Sequence, residues 1–352
     1  MVIGYGIGEY RAAQSEFDRL AVAKDIAGQK QFDNKGKGIE WFGKQFVVSA
    51  KGAQGYEWVL SNGDVTICLA KTPKGGRIMP EVYVTFRSEY LWGRGYKRAY
   101  ESFKDWLSAW AVVVGEKISR CDLCVDLAMP PPEIDLKQEA VTRARLKTSH
   151  LEASLHSSGR QITGYRLGSG DLLCRIYDKT AEVKKSQKEW FREIWRGQGW
   201  DGLSPITRCE FQLRRGILKD FGVNFLSELT ERLADIWRYC TEDWLTIREI
   251  NGTDAKRCRW RITDFWRLIQ SAVSHFGTCL GILRYKQKQC NAEHLEKQLK
   301  GVLVSLLATN GLVYGDYAAK RDLKTKLTKW FDDSEVSGAV RERQAKIAQM
   351  SG

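Results

Sequence analysis

Between residues 40 and 90 the apolar positions come in short alternating runs separated by Gly, Asn and Asp. "KQFVVSAKG", "GYEWVLSNGDVTICLAK" and "EVYVTFRSEYLW" read as strands, with "SNGD" between Leu60 and Val65 as a hairpin turn. An antiparallel meander of three or four strands is the expectation. Tyr96, Tyr100, Phe103, Leu107 and Trp110 then recur at helical spacing, which predicts an amphipathic helix lying on that sheet. The helix leads into "SRCDLCVDL", residues 119 to 127, a strand with an aliphatic or Cys side and a second side carrying Arg120, Asp122, Cys124 and Asp126.

After this strand "MPPPEID" breaks the chain, with Pro130 to Pro132 extended and a helix expected from Ile134 to Thr148. A second hairpin places "QITGYRL" and "LLCRIYDK" on either side of "GSGD". A charged helix is expected over Thr180 to Trp195, then the strand "ITRCEFQLRR". Leu226, Leu229, Leu233, Ile236, Cys240 and Trp244 next form one helical stripe. Near residue 250 the composition shifts to the basic, turn-rich "NGTDAKRCRWRITDFW", followed by a helical tail whose stripe is Leu295, Leu299, Val302 and Leu306. The first thirty residues carry little strand or core signal. The fold class expected is α+β, an antiparallel sheet with packed helices and a helical C-terminal region. Its parts are an arm over 1–30, a catalytic domain over 31–249 and a basic helical region over 250–352.

Composition narrows the classes. At 43% apolar and 11% aromatic residues, with six prolines in 352, the chain is a folded protein. Fifty-six Lys and Arg against 43 Asp and Glu give a formal charge of +13, which favours a polyanionic partner, nucleic acid before an anionic membrane. The most apolar run, around "WLSAWAVVVG", is too short to cross a bilayer, and no signal-peptide pattern opens the chain, so no membrane association and a cytoplasmic location are expected. Nine scattered cysteines do not form a disulfide framework. In "CDLC", Cys121 and Cys124 fall on opposite faces of a strand and are poorly placed to share a metal.

The chemistry gathers on three strands. "SRCDLCVDL" and "TRCEFQLRR" share the pattern [ST]-R-C-[DE], and the second carries Arg208, Glu210, Gln212 and Arg214 on one side. The hairpin strand adds Arg175, Tyr177 and Lys179. Gathered carboxylates repel one another and are costly unless something positive sits among them. Two readings satisfy that demand. The arginines themselves can form a salt-bridge lattice, or Asp122, Asp126 and Glu210 can hold a hard cation such as Mg²⁺ or Mn²⁺. A tyrosine hydroxyl ionises near pH 10 and needs cationic help to act as a nucleophile; Lys179 and Arg175 are placed to supply it to Tyr177. A phenolate attacking a phosphodiester would conserve the bond energy in a protein ester, so the strand could later be resealed.

In this order, "SRCDLCVDL", "CRIYDKTAE" and "TRCEFQLRR", with "YVTFRSEYLW" ahead of them, resemble the replication initiation factor family. That family comprises rolling-circle plasmid and phage initiators and the relaxases of conjugative elements. The resemblance spans residues 40 to 245. It implies nicking and joining at an origin, with a tyrosine linked to the 5′ phosphate and a free 3′ hydroxyl left to prime replication. The family's R-x-Y-[DNE]-K tyrosine matches Tyr177, and its acidic metal positions match Asp122, Asp126 and Glu210. The implied cofactor is Mg²⁺ or Mn²⁺. The four histidines, His150, His156, His275 and His294, form no closely spaced pair, so carboxylate ligation is expected.

Tyr165, in the partner strand of the hairpin, is the alternative nucleophile. DNA contacts are expected from Arg120, Arg208, Arg214 and Arg215, from Lys184 and Lys185, and from the basic link Lys256, Arg257, Arg259, Trp260 and Arg261. Most of the thirteen tryptophans sit at apolar helical positions and are expected in the core. The partner is origin DNA, single-stranded or extruded, with a helicase and a second copy of the chain as further candidates. Beside the tyrosine strand transferase stand a nuclease that uses water on the same carboxylates and a noncatalytic origin-binding protein.

Overall fold

The computed structural model describes residues 1–29, 36–71, 79–143, 155–158 and 161–281, with isolated helical positions between 299 and 340. The chain divides into two units, Met1–Arg284 and Tyr285–Gly352. In the second, Leu299 is helical and exposed; Leu295, Val302 and Leu306 of its expected stripe lie outside the described residues.

The first unit is α+β. Eleven of its strands form one sheet: β1 (Val2–Tyr10), β2 (Lys37–Trp41), β3 (Lys44–Val48), β4 (Trp58–Ser61), β5 (Val65–Leu69), β6 (Val82–Phe86), β7 (Ala111–Ala128), β9 (Leu155–Ser158), β10 (Gln161–Ser169), β11 (Leu172–Asp178) and β12 (Ile206–Arg214). The order across the sheet is β2-β3-β4-β5-β6-β1-β7-β12-β11-β10-β9, antiparallel throughout. A separate pair joins β8 (Ala140–Thr142) to β13 (Leu245–Ile247). Both expected hairpins are present; Asn62 closes the first by accepting hydrogen bonds from the amides of Asp64 and Val65 at 2.9 Å.

The described residues of the expected arm over 1–30, residues 1–29, do not form one. They supply β1, an inner strand between β6 and β7, and the helix α1 (Gln14–Ala27). Three glycines hide the strand in the sequence, since Gly is depleted in strands. The structure shows why they are there: a Cβ on Gly4 would sit 2.5 Å from Pro80 Cγ, and one on Gly8 2.7 Å from Val114 Cγ1. On the opposite face Ile3, Tyr5 and Ile7 are buried.

One face of the sheet carries the core. Phe17 and Leu20 of α1 and Ala99, Phe103 and Leu107 of α3 (Tyr96–Ser108), which follows the short α2 (Ser88–Arg94), cover β1 to β6, with Phe103 5.8 Å from Tyr5 and Phe17 5.6 Å from Trp58. At the other end Cys174, Ile176, Cys209, Phe211 and Leu213 are buried. Phe211 meets Trp237 of α7 (Leu226–Arg238) at 5.4 Å; α4 to α6 are Lys179–Ser186, Trp190–Gly197 and Arg215–Asp220.

A register shift decides what the opposite face presents. Ile118 pairs with Ile3, but the next pair is Arg120 with Val2, so Ser119 is the extra residue of a bulge. Ile118 and Cys121, three apart, therefore both enter the core. Arg120, Asp122, Cys124 and Asp126 turn to the other face.

Three further expectations are corrected. Residues 134–143 are not helical: Asp135 accepts from the amides of Lys137 and Gln138 in a turn, and Ala140–Thr142 pairs with β13; 144–148 lie outside the described residues. The charged helix is two, broken at Gln187, whose φ is 57°. The boundary at residue 250 moves to about 284. Trp266 of α8 (Asp264–Ser271) is fully buried in the main core and donates to Thr241 O at 2.8 Å, while Trp237 donates to Ile269 O at 2.9 Å. Among the described residues no helix is long and apolar enough to cross a membrane.

Trp266→Ala is expected to destabilise the unit that contains the sheet by about 3–5 kcal/mol. Denaturant unfolding followed by circular dichroism tests this; unchanged unfolding of the sheet would restore a boundary at residue 250.

Candidate functional site

Strands β7, β12 and β11 are neighbours, so their outward residues fall into rows. Asp126 lies opposite Arg208, and Arg208 opposite Tyr177. In the next row Cys124 faces Glu210, Glu210 faces Arg175, and Arg175 faces Arg166 on β10. Arg120 and Arg214 are cross-strand partners at the far end. Alternation with period two sends all of these to the face away from the main core. A small second cluster of Val183, Phe191, Trp195 and Ile206, from α4, α5 and the start of β12, covers one end of that face.

The carboxylates are held by arginine. Asp126 receives both guanidinium hydrogen bonds of Arg208, at 2.6 and 2.7 Å, and a third from Trp195 Nε1 at 2.9 Å. Arg208 is 5% exposed and lies 4.8 Å from the centre of the Phe191 ring. Burial works against its charge, and the bonds to Asp126 more than offset that, so its pKa stands above the ordinary guanidinium value. Asp122 is held by Arg120 at 2.8 and 2.7 Å. Glu210 Oε1 accepts from Arg175 at 2.7 Å, whose other nitrogen reaches Gln212 at 3.1 Å.

The six carboxylate oxygens are thus unequal. Five accept charged hydrogen bonds of 2.6 to 2.8 Å, and the sixth, Glu210 Oε2, has the Tyr177 hydroxyl at 3.5 Å, the outer limit of such a bond. As a cation site the expected trio does not fit this arrangement. Each member is committed to its own arginine, and among the described residues no group of three or more His, Cys, Asp or Glu is disposed to hold a metal ion. The salt-bridge lattice supplies the positive charge that the gathered acids require.

Tyr177 is the penultimate residue of β11, immediately before Asp178, whose side chain caps α4 by accepting from Ala181 N at 2.9 Å. Its ring has room because the residue opposite is Gly164: a Cβ there would lie 2.7 Å from Tyr177 Cβ. Burial, and then Glu210, push the Tyr177 phenol well above the ordinary tyrosine range, with Arg208 pulling the other way. Lys179, expected to stabilise the phenolate, does not: its amine is bound to Glu182 and sits 4.4 Å from the centre of Phe191 and 5.9 Å from that of Tyr177. Burial, then Arg208, lower the Lys179 pKa. The resting phenol is neutral, and its proton faces Glu210.

Tyr165 is on the other face. It is 1% exposed, accepts from Ile134 N at 2.8 Å and donates to Pro132 O at 3.1 Å, so it anchors the proline segment and is not placed as a nucleophile. Arg215 is structural as well, donating to Ile118 O and Val223 O at 3.0 and 2.8 Å. Lys184 and Lys185 are exposed on the last turn of α4, and Arg214 is exposed at the end of β12. The basic link is largely tied into the fold. Arg257 donates to Ala140 O, Trp260 to Asp254 O, and Arg261 pairs with Glu249 and Asp264; Lys256 and Arg259 are exposed. Cys121 and Cys124 diverge as expected, and burial pushes both thiols up to about 12.

The site also contains residues that the sequence reading passed over. Arg166 is exposed beside Arg175, Trp195 orients the Asp126–Arg208 pair, and Phe191 lies against both Arg208 and Lys179. The basic-aliphatic alternation of "YRL" could have suggested Arg166. Nothing in the sequence ties Phe191 to the strands that end at Asp178 and begin at Ile206.

No protein-family model and no curated protein matches the chain. Among solved structures the chain is similar to one described as "Structure of Rolling Circle Replication Initiator Protein from Geobacillus stearothermophilus". The identity is 15% and the TM-score 0.41, over 77% of this chain and 93% of that one. Likeness at this level assigns no residue a role.

Arg208→Leu is expected to lower stability by about 3–5 kcal/mol by stranding Asp126, and Arg208→Leu with Asp126→Leu to recover most of that loss. Urea unfolding measures both; a loss below about 1 kcal/mol in the single variant would mean that the pair is solvated.

Proposed function

We propose that this chain is a DNA strand transferase of the replication-initiator or relaxase kind, with Tyr177 as the nucleophile. The observation that carries the reading is the arrangement around one oxygen: Glu210 Oε2, free of any arginine, faces the Tyr177 hydroxyl, with Arg175 and Arg208 in the adjoining positions. The three motifs on these strands, and their resemblance to replication initiation factors, support the same assignment.

In this reading the Tyr177 oxygen attacks the phosphorus of a phosphodiester as its proton passes to Glu210 Oε2. The bond to the 3′ oxygen breaks. That oxygen leaves and is protonated from solvent, so the DNA keeps a 3′ hydroxyl and its 5′ phosphate is esterified to the protein. Attack by a 3′ hydroxyl on the ester reverses the step and rejoins the strand. Arg175, one-third exposed, can turn from Glu210 toward the nonbridging oxygens, where a guanidinium stabilises developing charge. Arg208 is held rigidly by Asp126 and keeps the field positive behind the phosphate. The exposed Arg166, Arg214, Lys184 and Lys185 extend the cationic surface along which a single strand can run.

A specific observation favours a second reading. Every acid of the site is paired and the phenol is neutral, as in a purely structural lattice, which would leave a noncatalytic DNA-binding protein.

The protein is incubated with labelled single-stranded origin DNA, with and without Mn²⁺, and run on a denaturing gel. A protein-linked fragment in either lane is expected, absent in Tyr177→Phe, which still binds DNA. Cut ends without linkage would assign the nicking to water, and no cutting would leave only binding. A second outcome tests the proton acceptor. Because the phenol ionises above the usual tyrosine pH, linkage by Glu210→Gln should climb about tenfold per pH unit between 7 and 9 as phenolate accumulates. Wild-type linkage should rise far less steeply, since its proton has a local acceptor; equal slopes would remove Glu210 from the step.

A further inference from the structure

The large tryptophans Trp41, Trp110, Trp237 and Trp266 are fully buried, whereas Trp92 on α2 is 39% exposed. Single exposed apolar residues are ordinary on protein surfaces, so exposure alone decides nothing. The neighbours of Trp92 do. Its ring centre is 5.9 Å from that of Phe191, edge-on at 71°, and 6.0 Å from the Arg208 guanidinium. Arg208 is the cross-strand partner of Tyr177. The indole therefore borders the proposed reaction centre by way of a single side chain.

A structural role as a lid on Arg208 would account for one face of the ring. That guanidinium is already bound by Asp126 and covered by Phe191 at 4.8 Å, and more than a third of the indole remains open to solvent. The surface beside it is open too: a Cβ on Gly93 or Gly95 would meet nothing within 4 Å. The local charge is also one-sided. From Arg87 to Arg98 the chain carries Arg87, Arg94, Lys97 and Arg98, all exposed, against one carboxylate, Glu89. An open indole among exposed cations, next to a buried arginine that faces a nucleophile, suits a polyanion with flat apolar rings. Single-stranded DNA is such a ligand, since stacking on aromatic rings and pairing of phosphates with cations together hold it.

We propose that Trp92 is a stacking subsite for one nucleobase of a single-stranded DNA segment, the base nearest the phosphate presented to Tyr177. This assignment rests on the strand-transfer reading for its place in the reaction, though not for the binding itself. Phe191 and Arg208 fix the inner side of the indole, and its outer face receives the base. The phosphates on either side fall to the cations of residues 94–98 and to Arg175. Stacking is sequence-tolerant because every base has a flat face, so Trp92 positions the strand without selecting the base.

The test uses the full chain and two probes of equal phosphate number, an oligothymidine of about twelve nucleotides and its fully abasic analogue. The wild type is expected to prefer the oligothymidine. Trp92→Ala should weaken oligothymidine binding about tenfold, leave the abasic probe unchanged and so erase most of the preference. Trp92→Phe should retain most of it, and Trp92→Gln should behave like Trp92→Ala, a check that cavity effects are not responsible. A wild type without base preference, a Trp92→Ala protein that keeps the preference, or equal weakening of both probes would overturn the subsite. Failure of the strand-transfer reading looks different: no protein-linked DNA from the wild type, whatever the base preference of Trp92.

Discussion

The site depends on neutralising three carboxylates crowded on one face of a sheet, where little water reaches the pair nearest Tyr177. The Asp126–Arg208 pair carries most of that burden. With side chains 11% and 6% exposed, both ions have lost most of their hydration, and only a two-pronged bond in good geometry, with Trp195 as a third donor, offsets the loss. The pair crosses from β7 to β12, and Arg208 continues the row to Tyr177 on β11. Fixing it therefore fixes the register in which Glu210 meets Arg175 and the phenol. Phe191 closes over the cations from α5, so the helical pair that follows Tyr177 in the sequence folds back to complete the electrostatics of the strand before it.

Much of this face could be read from the chain. Period-two alternation in "TRCEFQLRR" separates Arg208, Glu210 and Gln212 from Cys209, Phe211 and Leu213, and the latter three are the ones that enter the main core. The hairpin around "GSGD" and the helix over residues 96–108 were equally legible, because their signals are local. What escaped was non-local. β1 reads as weak because its glycines yield space to Pro80 and Val114, residues about 75 and 105 positions away. The bulge at Ser119 is invisible to a parity rule, which would put Ile118 on the same side as Arg120 and Asp122. Without that extra residue the acids of β7 would point into hydrocarbon.

The roles of individual cations were also beyond sequence. Lys179 lies two residues from Tyr177, and spacing alone makes it the natural partner of a phenolate. Because Asp178 starts a helix, Lys179 belongs to a first turn, and its amine goes to Glu182 one turn on and to the face of Phe191. A similar diversion removes Arg215, which binds the carbonyls of Ile118 in β7 and Val223 after α6, and part of the basic link, where Arg257 binds Ala140 O and Trp260 closes its own loop on Asp254 O. Counting cations in a sequence overstates the surface left for a polyanion, because some of those cations are spent holding backbone oxygens.

The neutral phenol bears on why such a centre would use an internal nucleophile. An ionised tyrosine beside Glu210 would set two negative charges against each other in a half-buried place, so the resting protein keeps the proton and one unpaired carboxylate oxygen. In the proposed reaction an entering phosphodiester would compete with Glu210 for Arg175, whose side chain is one-third exposed, and would leave the carboxylate to take the hydroxyl proton. Under that proposal the same arginine would couple substrate arrival to activation of Tyr177. In the resting protein the ionic lattice is closed and the phenol keeps its proton, so the proposed chemistry would wait for a ligand able to displace Arg175.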